Sequence, residues 1–528
     1  MYTLNTQNMK IKYIFIIGCC LTMTAAFTAK AQPGSLDNTF GVGGKVSTSF
    51  GSGDDGANSV AIQSDGKIVA AGYRKTAGNR FKFSLARYNT NGSLDNTFGV
   101  GGKVITSLDS SDDRGNAIAI QANGKILVAG QSMHQSSYGL YSDFALVRYN
   151  TNGTLDNTFG SGGKVTTDID SANDYGNAVV IQPNGKIIVA GQSVTHNWDF
   201  SLVRYDTTGA VDSTFGINGK VTYDFHPGGY AYDYAYSVAL QTNGKILVAG
   251  TNSDTISYLA LLRYNSNGTL DNTFGTAGKV CTTFGGSGAG GSVVAVQSDK
   301  KILVAGSSNA GTYPAFGLVR FDTVGNLDNT FGTGGKVTTQ IGPAGATAEA
   351  MAIQTDGKII LAGYSYRYNY LDDFTVVRYN SNGTLDNTFG TAGIAINDFL
   401  NNYTDDGIYG VTLQGDGKIV AAGISNNGSD LDFALARYNV TSTIGIVENA
   451  EEADFTIYPN PNNGKFIISN NGNNIKEVEI YNVLGEHIYQ SLVNNQSSEI
   501  DLSAQTKGIY FVKVKTEKGI VVKKFVKE

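Results

Sequence analysis

The 528-residue chain contains only 7 prolines, 3 cysteines, 1 tryptophan and 16 % charged residues. Few prolines and little charge, beside 67 glycines, exclude a proline-rich spacer and a charge-extended disordered segment. Two cysteines, Cys19 and Cys20, fall in an N-terminal apolar run, so loss of that run leaves Cys281 alone and no intramolecular disulfide. Cys281 reads as a small packed hydrophobe rather than a reactive thiol. Helical periodicity is missing from the bulk of the chain, and no later apolar stretch is long enough to span a bilayer. Net charge is −6, with no basic stripe interleaved with aromatics, which argues against a nucleic-acid partner.

What is present is repetition. The phrase Leu-Asp-(Asn/Ser)-Thr-Phe-Gly, with Val211 in place of leucine in the fourth copy, recurs with its phenylalanine at Phe40, Phe98, Phe159, Phe215, Phe274, Phe331 and Phe389, in steps of 58, 61, 56, 59, 57 and 58 residues. Such a period belongs to stacked or radial repeats. Each unit offers four short runs rich in β-branched and aromatic residues: Gly-Lys-Val-x-Thr, Ala-Val-Ala-Ile-Gln, Lys-Ile-Leu-Val-Ala-Gly and Phe-x-Leu-x-Arg-Tyr-Asn, separated by Gly, Asn, Asp and Ser. Asp65-Gly66, Asn123-Gly124, Asn184-Gly185, Asn243-Gly244, Asp356-Gly357 and Asp416-Gly417 predict type I′ hairpin turns between the second and third runs, and Asp299-Lys300 a more strained one. Four strands repeated seven times predict an all-β, seven-bladed β-propeller over residues 32–440. The extra N-terminal copy of the phrase at Leu36–Gly41 is expected to dock on the seventh blade and close the ring.

The ends differ. Residues 1–31 read as a signal peptide, with Met9-Lys10-Ile11-Lys12 as basic start, an apolar core from Tyr13 to Met23 and a cleavage site at Ala29-Lys30-Ala31. A competing reading is a lipobox at Ile16-Ile17-Gly18-Cys19, which would make Cys19 a lipid anchor. After a linker at 441–452, residues 453–528 alternate as a small β-sandwich. There Tyr458-Pro459-Asn460-Pro461, Gly464, Tyr481-Asn482-Val483-Leu484-Gly485 and Gly508-Ile509-Tyr510 occur in order. This run resembles the type A C-terminal sorting domain of the bacterial type IX secretion system. The resemblance implies Sec export, passage through the outer membrane by the type IX machinery, removal of the domain, and a secreted or cell-surface product. The repeats, from Gly34 to about Asn439, resemble the delta-60 repeat family of β-propeller type, which implies no activity of its own.

Two faces follow from the strand order. The glycine turns and the repeated phrase share one, nearly identical in every copy, while the loops between the first and second runs and between the third and fourth share the other, which varies. The variable face is where a site needing different residue types belongs. It is aromatic, with Tyr73, Tyr138, Tyr141, Trp198, Tyr258, Tyr313, Tyr364, Tyr366, Tyr368 and Tyr370 in one loop set and Tyr230, Tyr232, Tyr234 and Tyr403 in or near the other. Flat rings among amides and hydroxyls suit stacking on sugars or contact with a protein, so a surface polysaccharide or protein partner is expected. The favoured binding set is Tyr138, Tyr141, His134, His196, Trp198, Tyr313, Tyr366 and Tyr368.

No cofactor is required by these motifs. Ca²⁺ is the one candidate, on Asp54-Asp55 and Asp112-Asp113, with Asp405-Asp406, Asp170 and Asp174 as further loop carboxylates, against the plainer reading of solvated charges. Seven arginines from Arg87 to Arg437 match seven aspartates from Asp37 to Asp386 in number, which predicts bidentate bracing between blades rather than chemistry. A binding module is favoured over an enzyme. The alternatives are a propeller glycoside hydrolase or polysaccharide lyase with its unique residues near His134 and His196, or a purely structural surface protein.

Overall fold

The computed structural model describes residues 32–440 and 455–528, apart from 109–110, 137–138, 230, 287, 368–371, 401–404, 471–473, 483–486 and 517–518. The signal peptide, Cys19 and the linker at 441–452 lie outside them. The chain divides into two compact units, one spanning Ala31–Ser442 and one holding Thr443–Glu528. Among the described residues every regular element is a strand.

The first unit is a seven-bladed propeller of four-stranded antiparallel sheets. Blade 1 runs Asp55–Ile62, Ile68–Lys75, Phe81–Tyr88 and Lys103–Thr106, in that spatial order. The first strand of each blade packs against the first strands of its neighbours, so these strands line the axis. Hydrophobic cores lie between blades: Leu127, Ala129, Phe144 and Leu146 of blade 2 pack on Ile187, Val189, Val203 and Tyr205 of blade 3.

The sequence repeat and the blade are out of phase by one strand. Gly-Lys-Val-x-Thr, which opens each sequence unit, is the outermost strand of the preceding blade: Lys103–Thr106 pairs with Phe83–Ala86. Ring closure follows from that offset. The last blade, Asp406–Leu413, Ile419–Asn426 and Leu431–Tyr438, takes its fourth strand from the N-terminal side, Lys45–Thr48, paired with Phe433–Ala436. Gly34 N donates to Asn439 O at 2.7 Å, and Asp37 receives Arg437 Nε at 2.8 Å.

The uniform face is a brace built seven times. In blade 1, Arg87 Nε donates to Asp95 Oδ2, Lys67 Nζ lies 2.8 Å from the same oxygen, and Thr97 caps the other oxygen through its N and Oγ1. The ion pair is therefore within a blade and single-pronged, not bidentate across blades as expected, because Oδ1 already holds the turn closed. The link between blades is the second arm of the arginine, whose Nη1 donates to a carbonyl of the next blade's turn, Thr207 O for Arg148 and Val440 O for Arg378. The guanidinium lies 4.2–4.7 Å from the ring centroid of the repeated phenylalanine in all seven copies. Burial alone would raise the Asp37 pKa, but hydrogen bonds from Lys418 and Thr39 and the charge of Arg437 outweigh it and bring the value down to about 2.

Two local expectations change and a third, the strain at Lys300, holds. In the glycine turns only the glycine takes positive φ, +83° at Gly66, with Gly66 N bonded to Gln63 O at 2.9 Å. This is a type I turn followed by a left-handed residue, not type I′. Lys300 adopts the same left-handed conformation at φ 70°, where a side chain is strained. Cys281 is exposed, on the outermost strand of blade 4, rather than packed.

The C-terminal unit has two sheets, Phe455–Tyr458 with Lys465–Asn470 and Ser497–Asp501, and His487–Asn495, Ile475–Asn482, Gly508–Thr516 and Gly519–Lys527. Phe455, Phe466, Val478, Tyr510 and Phe525 share one core between them. Asn460 Oδ1 accepts Val526 N, and a Cβ on Gly464 would lie 2.6 Å from Lys527 Cε and 2.9 Å from the backbone of Ser503. Tyr510 stacks on Phe525 and donates to Thr506 O, Tyr481 donates to Glu479, and Tyr458 and Pro459 lie in an exposed segment. Asn482 and Gly508 begin or end paired strands, whereas Leu484 and Gly485 lie outside the described residues.

Candidate functional site

Each innermost strand carries a β-bulge, at its fourth position in six blades and its fifth in Tyr232–Leu240, where one residue has no partner in the register. The second strand makes room for it with the glycine of Val-Ala-Gly: a Cβ on Gly72 would stand 1.8 Å from Gly56 O. Bulges re-aim side chains, and here they place Asn58, Asn116, Asn177, Tyr236, Ser292, Glu349 and Tyr409 at equivalent positions of the seven strands that line the axis.

This inner ring has two halves. Asn58, Asn116 and Asn177 donate Nδ2 to the carbonyls of Gly115, Gly176 and Ala235 on the neighbouring strands, stitching blades 1 to 4. Opposite them Glu349 accepts hydrogen bonds from Ser292 and Tyr364, and burial pushes its carboxyl pKa up to about 7. Tyr364 stands 6.2 Å from Tyr409 and 5.6 Å from Tyr366, ring centre to ring centre, both in edge-on geometry. One carboxyl among tyrosines thus occurs on one side of the ring only.

On the variable face, blades 3 and 4 carry a run of aromatic rings. Tyr175 stacks on Trp198 at 5.0 Å, Trp198 approaches Tyr234 at 6.2 Å, and Tyr234 is stacked between Tyr232 at 6.4 Å and Tyr236 at 6.2 Å. Tyr232 is 50 % and Tyr236 41 % exposed, so the end of the run stays open to solvent. The three tyrosines sit at alternate positions of Tyr232–Leu240 and so project to one face.

Carboxylates gather where blades meet. Asp143, Asp168 and Asp174 converge between blades 2 and 3, Asp199, Asp224 and Asp233 between blades 3 and 4, and Asp373, Asp398 and Asp406 between blades 6 and 7, each set offering oxygens within 4.8 Å of one another. Burial drives Asp174 up to about 8 and Asp199 up to about 6, with neighbouring carboxylates adding to both.

The residues singled out from sequence are dispersed over this face. Trp198 joins the aromatic run, and Tyr366 the Tyr364 pair. Tyr313 is 46 % exposed in the loop before the third strand of blade 5. His134 lies opposite Tyr141 on one hairpin, its Nδ1 3.4 Å from Asp143 Oδ2. His196 lies in the turn before Trp198 and acts on Asp199, so the two histidines serve different carboxylate sets, and no hydrogen bond joins them among the described residues. Tyr138 and Tyr368 lie outside the described residues. Asp54 pairs with Lys75 at 3.3 Å, Asp55 holds Phe50 N, Asp112 accepts Phe81 N, and Asp113 pairs with Lys82 at 3.0 Å. Among the described residues none of these four belongs to a three-carboxylate set. Tyr236, Glu349 and Tyr409 were missed, and their signal is a column: aligning the seven innermost strands makes the bulge position the one that changes from Asn to Tyr, Ser and Glu.

Seven segments, 63–98, 121–159, 182–215, 241–274, 297–331, 354–389 and 414–444, match the family described as Domain of unknown function (DUF5122) beta-propeller. Residues 456–528 match the Secretion system C-terminal sorting domain. No curated protein matches the chain. Solved structures similar to it include a protein of unknown function from Dyadobacter fermentans, at 13 % identity over 75 % of this chain and 98 % of that one, with a TM-score of 0.41. The polysaccharide lyase Uly1 is 13 % identical over 73 % of this chain and 90 % of its own, with a TM-score of 0.44. PorZ of Porphyromonas gingivalis, described as a surface component of the type-IX secretion system, is 11 % identical over 94 % and 86 %, with a TM-score of 0.27. At these scores none of the three carries an argument about what this chain does.

Proposed function

We propose, for a chain whose repeats belong to the DUF5122 beta-propeller family and whose C-terminal unit is a secretion-system sorting domain, that the propeller is a surface-displayed binding module for polysaccharide. The sorting domain marks the protein for export by type IX secretion, to the cell surface or beyond. The observation that carries the reading is the aromatic run Tyr175, Trp198, Tyr234 and Tyr232, four rings in sequence on the irregular face with one end open. Stacked or tilted rings spaced 5.0–6.4 Å apart offer an extended apolar strip edged by hydroxyls, which suits the flat faces of successive sugar rings. A protein ligand would instead call for a larger continuous apolar patch with a polar rim.

The test is a panel of soluble polysaccharides titrated calorimetrically against the purified protein and against Trp198→Ala. Binding that Trp198→Ala weakens about 30-fold without a change in melting temperature supports the strip; binding undiminished in both Trp198→Ala and Tyr234→Ala removes it.

A second reading, turnover of the bound chain, has Glu349 behind it. A carboxyl held near 7 beside the Tyr364 hydroxyl can give or take a proton at neutral pH. Glu349→Gln tests it: product formation from a bound polysaccharide that vanishes in this variant, with binding retained, supports turnover. Binding without product in the parent chain leaves a module alone.

A further inference from the structure

The same three positions recur at every blade junction: the residue before the third strand's buried aromatic or leucine, the residue after the outermost strand's last, and the first inward residue of the next blade. Between blades 4 and 5 they are Tyr258, Thr283 and Ala289, and between blades 5 and 6 Ala315, Gln340 and Ala346, with no charge at all. Between blades 1 and 2 they are Lys82, Ser107 and Asp113, and the lysine pairs with the aspartate at 3.0 Å. Three carboxylates fill them between blades 2 and 3, 3 and 4, and 6 and 7. In the last of these Arg367 reaches in, bonded to Asp373 and 3.3 Å from Asp398.

In the other two triads no such cation is bonded to the carboxylates, although the charge of Lys220 acts on Asp143 and Asp174. Among the described residues no lysine or arginine nitrogen pairs with their carboxylates. The outermost-strand lysines beside them are turned to other acceptors, Lys220 to the Asp168 carbonyl and Lys279 to the Tyr223 hydroxyl. Among the described residues the other basic groups beside them are histidines: His134 at Asp143, His196 acting on Asp199, and His226, whose ring meets Asn252 at 3.3 Å beside Asp233. Asp174 is wholly buried and its Oδ1 has no partner; Asp199 is 1 % exposed and its Oδ1 also has none. A buried carboxylate oxygen left unpaired beside two further carboxylates requires a positive charge or a proton.

We propose that the junctions between blades 2 and 3 and between blades 3 and 4 are two Ca²⁺ sites, formed by Asp143, Asp168 and Asp174 and by Asp199, Asp224 and Asp233. Oxygens within 4.8 Å of one another can sit on opposite sides of an ion with metal–oxygen distances of about 2.3–2.6 Å, and the hard carboxylate donors suit Ca²⁺, with water completing the shell. The ion stands where Lys82 and Arg367 stand at their own junctions. Tyr175 follows Asp174, Trp198 precedes Asp199 and Tyr234 follows Asp233 in sequence, so the two ions would fix the backbone on which three of the aromatic rings are mounted. The sites themselves do not depend on what those rings bind.

The experiment is Ca²⁺ titration of the full purified chain after treatment with EDTA, read by calorimetry and by melting temperature. Two equivalents per chain are expected, with a melting temperature that rises with Ca²⁺. Asp168→Asn and Asp224→Asn, the first exposed and the second half-buried, each remove one equivalent, and circular dichroism shows that both variants fold. Lys82→Asp combined with Ser107→Asp adds a third equivalent. No Ca²⁺ bound by the EDTA-treated chain, or a stoichiometry that neither Asp168→Asn nor Asp224→Asn alters, overturns the proposal and leaves the triads as carboxylic acids sharing protons.

Discussion

The two faces of this propeller are made by the same seven repeats and are built on opposite rules. On the uniform face one arrangement of Arg, Asp, Lys, Thr and Phe recurs in every blade, each arginine tied to a carbonyl of the next. On the irregular face the corresponding positions change from blade to blade, from Asn to Glu around the axis and from three aspartates to none at the junctions. The difference teaches that repetition here is a mechanical device. Seven equal braces fix the ring, which frees the other face to vary without loss of the fold.

That contrast can be broken most severely at the closure. Deleting residues 32–48 removes the fourth strand of blade 7 together with Asp37, and the loss in stability is expected to exceed the ~3–5 kcal/mol of one broken buried pair, as a large fall in melting temperature. Next comes a single brace: Asp37→Ala strands Arg437 and Lys418 beside an empty position and costs about 3 kcal/mol by denaturant unfolding. On the irregular face Trp198→Ala is expected to weaken polysaccharide binding about 30-fold, the ~2 kcal/mol of an aromatic anchor, while the melt stays put. An equal loss of stability in Trp198→Ala would erase the distinction between the faces.

Acid sharpens the same contrast. Asp37 titrates at about 2 in the fold against 3.8 unperturbed, so its contribution is complete above about pH 4 and disappears as pH falls through 2, and the other six brace aspartates are also lowered. A melting temperature that rises modestly from pH 7 to 5, as the raised carboxyl of Glu349 takes up its proton in the fold and not in the unfolded chain, and that falls steeply below 4 is the expected profile. The smallest effect separates two equivalent tyrosines. Tyr88 donates to Thr48 at 2.9 Å across the blade gap, whereas Tyr264 faces Tyr223 where the repeat has lost its threonine, and its hydroxyl has no partner. Tyr88→Phe should cost about 1 kcal/mol and Tyr264→Phe nothing or less than nothing.

Much of the ring was legible because its information is periodic. Phrase spacing, four strand runs and glycine turns gave the blade count, and the spare phrase at Leu36–Gly41 gave the closure, now seen in the pairing of Lys45–Thr48 with Phe433–Ala436. The offset between repeat and blade was not legible, since a strand that belongs to the preceding sheet reads the same in sequence. Nor was the turn type, because Asn-Gly and Asp-Gly serve more than one hairpin loop and only the φ of the first residue tells them apart. On the irregular face composition pointed to aromatics but not to neighbours. Trp198 meets Tyr175 in its own blade and Tyr234 in the next, and Glu349 meets Tyr364 in its own blade and Ser292 in the one before, contacts between strands that only folding brings together.

The closing strand has one more consequence. Its partners lie 385–391 residues away along the chain, from Thr48 with Phe433 to Lys45 with Ala436, so it is the slowest contact to find while each blade's own hairpins form locally. Until it docks, Leu431–Tyr438 is an open sheet edge with a row of free backbone donors and acceptors. Two unfinished rings at high concentration therefore have a ready exchange, each lending its N-terminal strand to the other, and a domain-swapped dimer is the misassembly this architecture invites.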